Sequence, residues 1–298
     1  MEDMSIHEKF VVTPQISSLI DRSLIYLQAG FPIHFKGPAG TGKTALAVHI
    51  ANKFERPVMI MFGNEEFERS DLLGNSYGLK RKIVFDNYVS SVAKQQEEVE
   101  VKWIDGRILQ ACKNGYILIY DEFTRSRPET NNVFLSILEE KIIETNSKRN
   151  GKEVIRIHPD FRVIFTSNPV EYAGVHKLQD ALKDRMITLS LDFPDRETEI
   201  QILKAQAKIV TKIAETIVDI IRRFRELKDM NFSPTIRSGI IIAKSIKVSK
   251  LETKLREELF KQICRDVILS EKSNSTALEK EKIINELNKI ISDVFDKA

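Results

Sequence analysis

Short apolar runs alternate with helical patterns between residues 14 and 194. Pro14 can open a helix whose apolar positions recur every three or four residues, and Gly30 stops it. The runs that follow are apolar on both faces, which is typical of strands in a parallel sheet covered by helices. They predict five strands, over residues 31–35, 58–62, 116–122, 162–167 and 186–191. The pattern therefore predicts an α/β domain in which helices flank a five-stranded parallel sheet.

Beyond residues 192–195 the pattern is helical almost throughout. Ser233-Pro234 is a helix start signal, and residues 273–275 form a polar break. The predicted helices cover residues 195–209, 211–228, 234–247, 251–270 and 276–296. We therefore expect two domains, an α/β domain over residues 1–194 and a C-terminal helical domain over residues 195–298.

The stretch from residue 65 to residue 102 has a weaker pattern. Residues 70–74 suggest a short capped turn, and residues 80–89 predict either a hairpin or an exposed loop. The polar, acidic residues 95–100 fit a tolerated surface insertion and a partner-contacting loop equally well. A helix is expected over residues 104–112, and Asn150-Gly151 predicts a second hairpin.

Residues 37–44 fill every fixed position of the Gly-x-x-x-x-Gly-Lys-[Ser/Thr] phosphate-binding loop. The pattern consists of Gly37, Pro38, Ala39, Gly40, Thr41, Gly42, Lys43 and Thr44. Glycines let successive backbone N–H groups point at one anion, and the following helix adds its partial positive charge. Lys43 would reach the β- and γ-phosphates, and Thr44 would hold Mg²⁺. The alternative is an ordinary glycine-rich turn between a strand and a helix.

Polar side chains end two of the predicted strands. Asp121 and Glu122 follow a buried apolar run, at the sheet edge where α/β proteins bind their ligands. Asp121 is then placed to bind Mg²⁺, directly or through water, and Glu122 to polarise an attacking water. Asn168 could orient that water against the γ-phosphate, or it could simply start the turn that Pro169 favours.

The composition indicates a globular protein but identifies no binding partner. The 298 residues are 42% hydrophobic and 30% charged, which is ordinary for a globular protein, and the net charge of +3 is too small to imply nucleic acid. Cys112 and Cys264 lie far apart, which predicts neither a disulfide framework nor a zinc site. No apolar run approaches 18 residues, and the polar, acidic start is unlike a secretory signal. We expect a cytoplasmic protein without a membrane partner, with nucleic acid only as a minor alternative partner.

The order of these motifs resembles the AAA+ ATPases. Asp121-Glu122 match Walker B, Asn168 matches sensor 1, Arg185 the arginine finger and Arg237 sensor 2, after a Walker A loop at residues 37–44. Residues 71–74, 121–130 and 233–237 resemble the MoxR group within that superfamily. The longer strings, through residue 140 and through residue 239, are similar to its gas vesicle branch. The resemblance covers roughly residues 10–250.

The resemblance implies a homo-oligomeric ring, often a hexamer, with ATP bound between subunits. Arg185 would reach the γ-phosphate of the neighbour, although it could instead pair with the adjacent Asp184. Arg237 would contact the nucleotide in cis from a helical lid. Arg125 and Arg127 could face a neighbouring subunit or the pore, or lie on a solvated turn. Thr124 departs from the family pattern, where many MoxR proteins have asparagine.

The resemblance also implies a function, with ATP and Mg²⁺ as cofactors. It suggests a hydrolysing ATPase, associated with gas vesicles, that assists their assembly by remodelling or chaperoning shell and accessory proteins. One alternative is a MoxR-type chaperone that activates a metal- or cofactor-dependent partner enzyme. The other is a nucleotide-dependent nucleation switch that does not hydrolyse ATP.

Overall fold

The computed structural model describes residues 10–85, 95–148, 151–169, 174–227, 233–249, 257–271 and 276–295. These residues fall into two units. One unit comprises residues 19–37 and 43–191. The other comprises the chain before residue 19, residues 38–42 and the chain from residue 192 onward.

The strands form one parallel sheet and two antiparallel hairpins. In chain order they are β1 (Ile33–Lys36), β2 (Val58–Phe62), β3 (Gly74–Phe85), β4 (Gln95–Asp105), β5 (Ile117–Asp121), β6 (Ile142–Lys148), β7 (Gly151–Arg156), β8 (Arg162–Ser167) and β9 (Ile187–Ser190). The parallel sheet has the strand order β2-β5-β8-β1-β9, which confirms the predicted five-stranded parallel sheet.

The sheet brings the ends of three strands to one edge. Strand β5 lies between β2 and β8 and is buried along its whole length. Strand β1 pairs in parallel with β8, so that Lys36 lies opposite Ser167. Because the carboxyl ends of parallel strands share one edge, the residues that follow β1, β5 and β8 meet there.

Helices precede, connect and follow these strands. They are α1 (Pro14–Gln28), α2 (Lys43–Ala51), α3 (Arg69–Leu73), α4 (Arg107–Asn114), α5 (Pro128–Asn131), α6 (Val133–Leu138), α7 (Asp180–Lys183), α8 (Arg196–Ala207), α9 (Thr211–Arg225), α10 (Ile236–Val248), α11 (Glu257–Ser270) and α12 (Ala277–Phe295). Short 3₁₀ turns cover Asn52–Phe54 and Phe123–Arg125. None of the helices in these described ranges has the length and apolar character needed to span a bilayer.

An aromatic cluster fills the core on one side of the parallel sheet. Tyr120, Phe123, Phe134 and Phe165 are at most 1% exposed, and their ring centroids lie 4.9 to 6.3 Å apart. Burial of one such side chain stabilises the fold by about 1.5–3 kcal/mol. The cluster therefore anchors β5 and the turn after it, which carry the carboxylates predicted to act in catalysis.

The C-terminal region is helical, as predicted. Helices α8 to α12 bury a separate apolar core that includes Ile217, Ile221, Phe224, Phe260 and Leu287. Asp195 caps α8, because its Oδ1 accepts a 2.8 Å hydrogen bond from the Thr198 N–H. The predicted break at residues 273–275 lies outside the described residues.

The helix predicted from residue 104 begins later in the structure, at Arg107. Residues 104 and 105 belong to β4, where Ile104 pairs with Asn75 of β3, and α4 begins only at Arg107 after an extended Gly106. Sequence pattern alone assigned Ile104 to the following helix, because its strand partner lies some thirty residues away in the chain.

The hairpin predicted at Asn150-Gly151 is confirmed, whereas the prediction of a hairpin or loop within residues 80–89 is wrong. Residues 80–85 pair instead with residues 95–100, which were expected to be a surface insertion or loop and form part of β4. Strands β3 and β4 pair in antiparallel register from Gly74 opposite Asp105 to Phe85 opposite Gln95. The part of the first prediction at residues 88–89 lies outside the described ranges. Strands β6 and β7 form the second hairpin, in which Lys148 pairs with Gly151.

Candidate functional site

Residues 37–42 connect β1 to α2 in a conformation that only glycine accommodates at several positions. Gly40 and Gly42 have φ values of 76° and 87°, in the left-handed region. A Cβ on Gly37 would lie 2.0 Å from the Leu191 carbonyl oxygen, and one on Gly40 would lie 2.5 Å from Thr235 Cβ. All three glycines of the phosphate-loop pattern therefore have a steric reason to be glycine.

Lys43 begins α2 and is 6% exposed. Its Nζ donates a 2.9 Å hydrogen bond to the Gly37 carbonyl oxygen, across the base of the loop. Burial lowers the pKa of Lys43 to about 8, against the opposite effect of the Asp121 and Glu122 carboxylates. A phosphate anion bound at this loop would favour the protonated ammonium, so its binding would be linked to protonation of Lys43.

We expect this linkage to appear in the pH dependence of binding. Affinity for a non-hydrolysable ATP analogue should fall by up to about tenfold per pH unit above pH 8. The reason is that Lys43 in the nucleotide-free protein then loses its proton, which it keeps in the complex. Titrations between pH 7 and pH 9.5 measure this slope. Lys43→Arg, whose guanidinium stays protonated, should give a flat profile whatever its absolute affinity. A flat profile for the native protein would contradict the assignment.

Thr44 and Asp121 are hydrogen-bonded to each other at the carboxyl edge of the sheet. Thr44 Oγ1 donates to Asp121 Oδ1 at 2.8 Å, with Oδ2 at 2.9 Å. Thr166 of β8 also donates to Asp121 Oδ1. Hydroxyl and carboxylate oxygens are the ligands that Mg²⁺ prefers, so Thr44 and Asp121 fit a magnesium site beside the phosphate loop.

Glu122 lies directly after β5 in the left-handed region, with φ 50° and ψ 37°. Its backbone N–H donates to Thr166 Oγ1 at 2.9 Å. Its carboxylate accepts a long 3.5 Å contact from Asn168 Nδ2 and pairs with Arg125 Nε at 3.1 Å. The structure thus places Asn168 beside Glu122, where a water-activating pair would need it. A left-handed non-glycine residue costs free energy and is typical of functional sites.

The sequence of this chain is similar to those of known ATPases. A family model of the AAA domain (dynein-related subfamily) matches residues 32–186. The gas vesicle ATPase GvpN of Ancylobacter aquaticus is 42% identical over 261 residues, which cover 88% of this chain and 73% of that protein. The gas vesicle ATPase GvpN of Haloferax mediterranei is 39% identical over 264 residues, with 88% and 75% covered. The chain belongs to the GvpN family of AAA ATPases.

Membership of the GvpN family confirms the resemblance drawn from the motifs. The chain is an ATPase, and its family binds nucleotide. Among solved structures, the RuvB Holliday junction branch migration motor of Thermotoga maritima superposes with a TM-score of 0.53 at 18% identity. That match covers 89% of this chain and 71% of the other, and it is a likeness of fold alone.

Arg185 does not join the residues around Asp121. It follows α7, and its Nε donates to Glu139 Oε2 at 2.8 Å while Nη1 donates to the Ala181 carbonyl oxygen at 2.5 Å. Its ionic partner is therefore Glu139 rather than the adjacent Asp184. The side chain remains 30% exposed. Glu139 and Arg185 are 46 residues apart in the chain, so no sequence pattern indicated this pair.

Arg237 is exposed in the first turn of α10. The turn is held by a capping box between Thr235 and Ser238, and Thr235 Oγ1 donates to Glu271 Oε1 at 3.0 Å. These contacts hold the start of the helix, and the Arg237 side chain is exposed to solvent. The side chain of Arg127, like that of Arg125, is exposed in the turn after β5.

Two residues that support the site were not predicted from the sequence. Thr166 accepts a hydrogen bond from the Glu122 N–H and donates one to Asp121; the available signal was a hydroxyl inside an otherwise apolar strand. A Cβ on Gly63 would lie 2.1 Å from the Glu122 carbonyl oxygen. Gly63 therefore lets the turn after β2 approach the turn after β5.

His34 is a third unpredicted residue, buried within the sheet before the phosphate loop. Its Nε2 lies 2.8 Å from Ser167 Oγ, and its Nδ1 lies 3.2 Å from Thr188 Oγ1. Burial, together with the charge of Lys36, lowers the pKa of His34 to about 4. A neutral imidazole thus joins β1 to both neighbouring strands, next to the strand end that carries Asn168.

We expect His34 to make stability depend on pH. The unfolded chain binds a proton at His34 below pH 6.5, whereas the folded protein binds it only near pH 4, so stability falls as pH decreases through that window. The loss from this one group is on the order of 3 kcal/mol. Denaturant unfolding of the full chain at pH 6.5 and pH 4.5 should show a steeper loss for the native protein than for His34→Gln. Equal losses would contradict the assignment.

Proposed function

We propose that this chain hydrolyses ATP to assist gas vesicle assembly, by remodelling or chaperoning shell and accessory proteins. The observation that carries the catalytic part is the placement of Thr44 and Asp121 within hydrogen-bonding distance, next to Glu122 and Asn168. The gas vesicle part rests on the relatives named gas vesicle ATPase GvpN.

Each residue of the site has a proposed step. The backbone N–H groups of residues 39–44 bind the phosphates, and the positive charge of Lys43 attracts the β- and γ-phosphates. Thr44 and Asp121 would hold Mg²⁺, and the ion would supply positive charge that offsets the charge of the phosphate oxygens. Glu122 accepts the proton of the attacking water, and Asn168 orients that water.

Arg125 forms an ion pair with Glu122, the proposed general base. Its Nε is 3.1 Å from Glu122 Oε2, while Asn168 reaches the other carboxylate oxygen. Both carboxylate oxygens of Glu122 therefore have a neighbour, and the longer contact, 3.5 Å from Asn168 Nδ2 to Oε1, is the one that a water between the two side chains would replace. Exposed ion pairs such as that with Arg125 contribute only about 0–1 kcal/mol, so the pair can be exchanged during turnover.

The oligomer and lid are also proposals. In a ring, Arg185 would leave Glu139 to reach the γ-phosphate of the adjacent subunit. Residues 195–298 would act as a helical lid, from which Arg237 contacts the nucleotide bound to its own subunit. The exposed position of Arg237 and the partial exposure of Arg185 are compatible with these roles.

A pull-down with a variant that stays in the ATP-bound state tests which proteins the chain acts on. Full-length Glu122→Gln, loaded with ATP in a cell extract that contains gas vesicle proteins, should retain shell or accessory proteins. Lys43→Ala, which lacks the main phosphate cation, is the matched control and should retain none of them. Retention of a metal- or cofactor-dependent enzyme instead would favour the chaperone alternative. Equal retention by both variants would contradict a nucleotide-dependent action on clients.

A further inference from the structure

Three residues that line one small cavity, in the unit of residues 19–37 and 43–191, each have a buried polar atom without a hydrogen-bond partner. Within the described ranges, Thr124 Oγ1, Asn131 Oδ1 and His176 Nε2 are buried and have no hydrogen-bond partner. All three residues line the same cavity, which also contacts Ser126 and Leu182. Thr124 is 5% exposed and Asn131 is 4% exposed, so bulk solvent does not satisfy them.

The surrounding hydrogen bonds fix the orientation of these groups. Asn131 Nδ2 donates to the carbonyl oxygens of Phe123 and Ser126, at 3.1 and 3.4 Å. A flipped amide would lose both bonds, so the oxygen is the atom left without a partner. The His176 backbone N–H donates to the Thr124 carbonyl oxygen at 2.7 Å, which holds the two segments together at the cavity.

The size of the cavity restricts what it can hold. The volume open to the centre of a water-sized sphere is about 10 Å³. One buried water needs about that much space and two to four polar partners. An inorganic anion is larger. A divalent cation prefers carboxylate oxygens, and among the residues that line the cavity none is an aspartate or glutamate.

Water also matches the chemistry of the three atoms. Asn131 Oδ1 can only accept, whereas a threonine hydroxyl can donate or accept and the role of an imidazole nitrogen depends on where its proton lies. A water molecule has two donors and two acceptors, so it can satisfy all three at once. Leaving three polar atoms unpaired around one cavity would be costly and is rare in folded proteins.

We propose that one internal water molecule binds between Thr124, Asn131 and His176. It bridges the turn that follows Glu122 to the segment before α7, the helix that precedes Arg185. The site therefore adds a hydrogen-bonded link between the segment of the proposed catalytic base and the segment of the proposed arginine finger. The existence of the water does not depend on the roles proposed for those two residues.

The sign of a change in melting temperature tests the proposal. Thr124→Val replaces the hydroxyl by a methyl group of similar shape. With water bound, the variant loses one of its partners, and the Tm should fall by a few degrees. In a dry cavity the variant removes an unpaired buried hydroxyl, and the Tm should rise. Thr211→Val, at an exposed threonine in the first turn of α9, is the matched control and should change little.

A crystal structure of the full chain supplies a second, independent readout. We expect one solvent peak within about 2.7–3.2 Å of Thr124 Oγ1, Asn131 Oδ1 and His176 Nε2 in the native protein. A dry cavity in that structure, or a Tm that rises in Thr124→Val, would overturn the proposal. A peak with the coordination and density of a metal ion would do so as well.

Discussion

Glu122→Gln is expected to lower the rate of ATP hydrolysis at saturating ATP by about 10²–10⁴-fold, the usual contribution of a general base. The amide keeps the size of the side chain but cannot accept the proton of the attacking water. Affinity for ATP should be unchanged, because the phosphates are held by the loop and by Lys43. Steady-state phosphate release and equilibrium nucleotide binding, measured on the same preparation, separate the two effects.

The control for this variant is Glu281→Gln, which alters an exposed carboxylate on α12. It should hydrolyse ATP at the native rate. If Glu122→Gln kept most of the native turnover, Glu122 would not be the general base. If it lost ATP binding as well, the substitution would have disturbed the turn that Thr166 and Gly63 hold in place.

Much of this site could be predicted because its residues follow buried strands. Strand β5 is apolar until Asp121, and its burial on both faces makes the run stand out from helical patterns. The same reasoning identified β8 and, after it, Asn168. The pairing of β5 with β8, which places Glu122 and Asn168 side by side, is known only from the structure.

The residues that were missed depend on contacts between distant parts of the chain. His34 looks like an ordinary polar residue in a strand until Ser167 and Thr188 are placed on either side of it. Gly63 is required only because the Glu122 backbone approaches it. The error at Ile104 has the same origin, since pairing with β3 overrides the local pattern.

Arg185→Ala is expected to lower turnover by about 10³-fold or more, in the range known for arginine fingers, with ATP affinity retained. The variant should remain folded, because the Arg185–Glu139 pair is partly exposed and such pairs contribute only about 0–1 kcal/mol. Phosphate release, nucleotide titration and the melting temperature of the full chain measure the three quantities.

The variant Glu139→Gln distinguishes two roles for Arg185, an arginine finger or a partner in a structural ion pair. It removes the same ion pair but leaves the guanidinium in place, so a merely structural Arg185 predicts equal losses in both variants. A guanidinium that acts on the phosphate predicts that Glu139→Gln keeps its turnover or gains some, because Arg185 is then held less firmly. Equal losses would contradict the proposed role.

Mixed oligomers test whether Arg185 acts on a neighbouring subunit. Arg185→Ala subunits bind ATP but lack the finger, whereas Lys43→Ala subunits lack the main phosphate cation but keep Arg185. If the finger acts in trans, mixing two nearly inactive proteins should restore part of the activity, at interfaces where Lys43→Ala supplies Arg185 to an intact phosphate loop. No recovery in rings shown to contain both subunits would place Arg185 in its own subunit's site or outside catalysis. The test thus decides whether the phosphate loop and its catalytic arginine belong to one chain or to two.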